Sequence, residues 1–78
     1  MPVVKRFSRA RIEMYFGDHP PPHFHVVTRN NERVAVLIDT LVVRAGAADR
    51  RDIAAALSWA RTHRVQLRSH WQKYCESE

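Results

Sequence analysis

Two glycines and one cysteine are all that 78 residues contain of these types. So little glycine excludes a glycine-rich loop that cradles phosphate through its backbone. The lone Cys75 excludes an internal disulfide. No serine stands in a nucleophile-elbow context. No apolar run approaches a membrane span or the core of a signal peptide, so the expectation is a cytoplasmic protein with no membrane partner. The length allows one domain, residues 1–78, and no second core. Acid is also short: eight carboxylates face thirteen cations, mostly arginine, for a net charge of +5. Arginine matches phosphate and carboxylate in a bidentate way, so this balance points to a nucleic acid or an acidic protein partner without choosing between them.

Histidine and proline, in contrast, are concentrated. Three of the five histidines and three of the four prolines fall in Asp18-His19-Pro20-Pro21-Pro22-His23-Phe24-His25. Prolines fix φ and donate no ladder hydrogen bonds, so this run reads as a stiff polyproline II loop that holds His19 at a set offset from His23.

Around that loop the hydrophobic periods predict an α+β fold: a three- to four-stranded antiparallel meander, then a long or kinked C-terminal helix packed on one face. Residues 1–7 read as a short extended arm. Residues 9–16 alternate, with Ile12, Met14 and Phe16 opposite Arg11, Glu13 and Tyr15, which is a half-buried strand. Strands follow at about 23–29 and 33–39, joined by an Asn30-Asn31 turn, with a possible further strand at 41–45. Helical periodicity then runs over about 49–75 through Ile53, Ala56, Leu57, Ala60, Leu67, Trp71 and Tyr74. A helix of that length reaches about 40 Å, against about 23 Å for a seven-residue strand. It must therefore kink near 62–65, where β-branched residues weaken it, or pack its second half on another copy as a homodimer.

Strand parity sends His23 and His25 to one face, opposite Phe24 and Val26. The helix is expected to cover the phenylalanine side and leave both imidazoles on the open face. Three readings of the histidines remain. They can be structural. They can share a transition metal, zinc or nickel, with His19 as third ligand and Asp18 binding or orienting. Or they can exchange protons with a phosphodiester without metal. On the helix, Arg61, Arg64 and Arg68 form a basic stripe suited to phosphate or an acidic partner, though a merely solvated face gives the same pattern. Trp59 lies off the main apolar face, as a rim residue or an interface anchor.

The stretch Ile12-x-Met14-Tyr15-Phe16-Gly17-Asp18-His19-Pro20-Pro21-Pro22-His23-Phe24-His25-Val26, followed by Trp59-Ala60-x-x-His63-x-x-x-Leu67-x-x-x-Trp71, resembles the small bacterial family called domain of unknown function 4160. The resemblance implies a component of a two-gene module of toxin–antitoxin type, with a cognate small protein of the domain-of-unknown-function 2442 family as partner. Two expectations follow. In one the chain acts on RNA: His23 and His25 trade protons with the ribose hydroxyl and the leaving oxygen, His19 or Asp18 positions substrate, and Arg61, Arg64, Arg68 and Trp59 grip it. In the other it is a non-enzymatic protein-binding module whose His19, His23 and His25 hold a metal.

Overall fold

The computed structural model describes residues 3–76. Its five strands are β1 (Val3–Arg6), β2 (Ala10–Glu13), β3 (His23–Thr28), β4 (Arg33–Leu37) and β5 (Val43–Gly46). They form one antiparallel sheet in sequence order, so every connection is a local hairpin. Helices α1 (Arg50–Arg61) and α2 (Arg64–Trp71) follow, and the chain closes in a π-helical turn, Gln72–Glu76. The α+β class and the meander-then-helix order match the sequence expectation.

The strand count is larger than expected. Of the stretch 1–7 read as an arm, residues 1–2 lie outside the described residues and 3–6 pair with β2 through Lys5–Ile12 and Arg6–Arg11, with an irregularity after Val3. Its short apolar content gave no alternation to read. Segment 41–45 does contribute a strand, shifted to Val43–Gly46. The strand expected over 9–16 stops at Glu13. Met14 stays buried with Ile12, but Phe16, expected on the same face, lies beyond the strand end and is 69% exposed.

The turns follow their chemistry. Asn31 takes φ 64°, the left-handed region that asparagine tolerates, and the Thr28 hydroxyl accepts from the Asn30 and Glu32 N–H groups. The proline loop differs from the uniform run expected, since the Pro20–Pro21 bond is cis.

One face of the sheet is apolar: Ile12, Phe24, Val26, Val34 and Val36 are buried there, under Ile53, Ala56 and Ala60 of α1. Each such large side chain contributes about 1.5–3 kcal/mol on burial. Asp49 caps α1, its carboxylate accepting from the Arg51 N–H at 2.9 Å. The helix expected over 49–75 breaks at Thr62-His63. Thr62 turns its hydroxyl onto the Trp59 carbonyl, and His63 leaves helical angles at φ −128°, ψ 28°. The kink is thus the answer to the overhang. It carries Leu67 and Trp71 back into the core, so the length mismatch no longer calls for a second copy.

Candidate functional site

The face of β3 opposite the core bears His23 and His25. Their register partners are Leu37 and Ala35 on β4, with Glu13 beside His25 on β2. Strand parity therefore placed both imidazoles on the expected side. It did not anticipate how that side is closed. His23 is only 7% exposed, because Trp71 lies against its ring with centroids 5.2 Å apart. The expectation of two open imidazoles is corrected: His23 is buried and His25 half-buried. The sheet's end is where the chain folds back, and a strand pattern carries no information about what crosses it.

His23 has both nitrogens engaged. Nδ1 lies 2.8 Å from the Pro21 carbonyl, and Nε2 lies 2.9 Å from an Asp18 carboxylate oxygen. A carbonyl only accepts, so Nδ1 carries a proton. The proline loop sets this geometry: Pro21 supplies the acceptor, and the Pro22 carbonyl is tied to the Ile38 N–H at 3.1 Å. Asp18 is steadied in turn, its other oxygen accepting from the His19 N–H at 2.9 Å.

His25 packs between the His23 ring at 5.2 Å and the Tyr15 ring at 4.5 Å. Its Nδ1 is shielded from solvent and has no hydrogen-bond partner. Burial, then the neighbouring His23, lowers its pKa from the ordinary 6.5, with Asp18 and Glu13 pulling the other way. Asp18, His23 and His25 each offer a ligand atom, and these atoms lie within 4.8 Å of one another. His19 does not join them. It is exposed on the loop, and Asp18 takes the third place expected of it.

A second polar row, which spacing alone did not mark as functional, flanks the histidines. Glu13, 1% exposed, accepts from Tyr15 Oη at 2.8 Å and from Arg11 Nε. Burial works to raise the Glu13 carboxyl, but these two hydrogen bonds and the charges of Arg11 and Arg33 outweigh it and hold the group below its ordinary 4.5. Burial and the bond to Glu13 push the Tyr15 hydroxyl up. Arg33 lies over the Tyr15 ring at 5.6 Å. The signal was present in the alternation that set Arg11, Glu13 and Tyr15 together, and only the pairing register was missing.

The basic stripe is interrupted. Arg61 ends α1 and Arg64 opens α2, on either side of the break. Arg64 donates to the Arg61 carbonyl at 3.2 Å, and Arg68 is ion-paired with Asp39. Trp59 is half-buried, stacked flat on His63 at 4.1 Å and met edge-on by Phe7 at 6.2 Å. Among the described residues, no ring contact or hydrogen bond joins these groups to the histidine cluster.

No helix among the described residues is long and apolar enough to cross a membrane. The family model described as Domain of unknown function (DUF4160) matches residues 10–72, which spans β2 to the end of α2 and the whole histidine cluster. Comparison with curated proteins and with solved structures found no match.

Proposed function

The chain belongs to the DUF4160 family, and we propose that it is a non-enzymatic binding module whose Asp18, His23 and His25 hold a divalent transition metal such as zinc or nickel. One observation carries this reading. With Nδ1 held by the Pro21 carbonyl, His23 turns Nε2 toward the Asp18 carboxylate 2.9 Å away. A proton on Nε2 satisfies that approach, and a cation taken up by the two groups satisfies it equally. A backbone carbonyl on the far nitrogen is also how metal-binding histidines are oriented. His25 adds a ring nitrogen to the same cluster, and its buried Nδ1 has no hydrogen-bond partner.

Two nitrogens and one carboxylate suit zinc, and three protein ligands leave a fourth position open. Ligand atoms around zinc stand about 3.3 Å apart at the usual bond lengths. The ligand atoms now lie within 4.8 Å of one another, so binding would draw them in by up to about 1.5 Å. Soft copper(I) is a poorer match, since no sulfur is in the cluster. In the cell we place the module in the cytoplasm, as one component of a bacterial two-gene system of toxin–antitoxin type with a small cognate protein as partner.

Acid–base cleavage of RNA fits this geometry less well. His23 is buried with both nitrogens occupied, whereas a general base must reach the ribose hydroxyl. Calorimetric titration of the apo-protein with zinc and nickel separates the two readings. One-to-one binding that disappears in His23→Ala and His25→Ala, with no RNA turnover, is the expected result. RNA cleavage that survives chelation and is lost in the same variants would overturn it.

A further inference from the structure

We infer that the groove between α1 and the β4–β5 end of the sheet is a docking site for an acidic amphipathic helix of a partner protein. This surface shares no residue with the histidine cluster, so the inference stands or falls independently of the metal reading.

The groove exists because one helix cannot cover five strands. α1 packs chiefly on β2 and β3, and the inner residues of β4, Val34 and Val36, are buried as well, so the open strip beside the helix is the β5 edge and the 41–43 connection. The resulting cavity measures about 730 Å³, with Val34, Leu41, Val43, Ile53 and Leu57 among its lining residues. Val43 is 41% exposed, and the adjacent Val42 is 55% exposed. Leu41 reaches the groove from a backbone at φ 60°, an uncommon conformation for a branched side chain.

Charge and spacing select the occupant. Arg50, Ile53, Leu57 and Arg61 recur at three- and four-residue intervals and all line the groove, so they form one stripe of α1 with a guanidinium at each end. Arg6, Arg29, Arg33, Arg44, Arg50, Arg61 and Arg64 belong to no ion pair among the described residues, and of these Arg50 and Arg61 line the groove. The two ends of the stripe are about 16 Å apart along the helix, or three turns. A second helix laid beside α1 along this edge would set an apolar middle on Leu41, Val43 and Leu57 and a carboxylate near each arginine. This is the helix-in-groove mode of recognition.

The test uses the whole chain and a synthetic 18-residue helical peptide carrying leucine on one face and glutamate near both ends, with a lysine-for-glutamate peptide as control. Backbone amide NMR shifts locate binding and calorimetry measures it. The glutamate peptide should bind one-to-one and perturb α1, Leu41 and β5, and Arg50→Glu with Arg61→Glu should weaken it at least tenfold. The lysine peptide should bind that double variant better than it binds the wild type. Equal binding of both peptides to the wild type, shifts mapping elsewhere, no saturation at millimolar peptide, or a self-associated chain that buries this groove in sedimentation would each overturn the inference. An RNA oligonucleotide that displaces the glutamate peptide from the same residues would overturn it as well.

Discussion

The Gly17 N–H donates to the Tyr74 carbonyl at 3.0 Å, fastening the start of the proline loop to the last turn of the chain. The contact has company. Cys75 Sγ donates to the Tyr15 carbonyl at 3.3 Å, and the Phe16 and Tyr74 rings meet at 4.7 Å. One turn earlier, Trp71 lies on His23. The C-terminal turn is therefore a wall of the histidine site, and the burial of His23 depends on it.

Trp71→Ala should remove that wall. Trp71 is 1% exposed, and truncating a buried aromatic of this size costs about 3–5 kcal/mol. Urea denaturation followed by Trp59 fluorescence should show a much lower midpoint, with Trp71→Phe falling between the variant and the wild type. A midpoint within experimental error of wild type would show that the packing on His23 contributes little.

The divide between what was legible and what was not runs along this same wall. Alternation in Ile12, Met14, Phe24, Val26, Val34 and Val36 disclosed the buried face, because period two is a local property of a strand. The arithmetic of helix length against strand length left two outcomes, a break near 62–65 or packing on a second copy, and Thr62 and His63 supply the break. The burial of His23 was hidden, because it comes from Trp71, far along the chain. The replacement of His19 by Asp18 was hidden for a related reason. Which side chain of a loop turns inward is decided by the Pro21 carbonyl and by the tie from Pro22 to Ile38, neither of which a residue pattern contains.

Glu13 gives a pH signature. Its carboxyl titrates below 4.5 in the folded chain and near 4.5 in the unfolded one. Between those values the unfolded state binds more protons, so this contribution to stability is complete above about pH 4.5 and is lost as pH falls through the folded value. The denaturation midpoint should decline in that acid window. Glu13→Gln should flatten the decline, while lowering stability at pH 7 by about 1–3 kcal/mol because Arg11 and Tyr15 lose a charged acceptor. An unchanged acid slope in this variant would assign the decline to other carboxylates.

The two glycines should respond differently to alanine. Both have positive φ, 69° at Gly17 and 86° at Gly46, and a left-handed alanine costs about 1–2 kcal/mol. At Gly17 an added methyl meets nothing within 4 Å, so the cost should stop there. At Gly46 it would run into the Arg33 carbonyl oxygen and the Val34 backbone across the β4–β5 pairing. Gly46→Ala should therefore lose clearly more stability than Gly17→Ala, and amide exchange should quicken in β5 first. Equal losses at the two positions would mean that β5 shifts freely to make room.

Asp18 and His19 adjoin in sequence and should separate cleanly in a metal titration. Asp18 faces His23 Nε2, whereas His19 is exposed and, among the described residues, meets the site through its backbone N–H, bonded to Asp18. His19→Ala keeps that N–H, so it should bind zinc as the wild type does. Asp18→Asn keeps an oxygen for the His19 N–H and can turn an amide donor toward Nε2, so the apo-fold should survive with little change in melting temperature. It removes the anionic ligand, however. Losing even a group that only supports a metal ligand costs 10–100-fold in affinity, so loss of the ligand itself should cost at least about a hundredfold. The opposite pattern, with zinc affinity falling in His19→Ala and holding in Asp18→Asn, would require the loop to turn over on binding and would return His19 to the ligand set in place of Asp18.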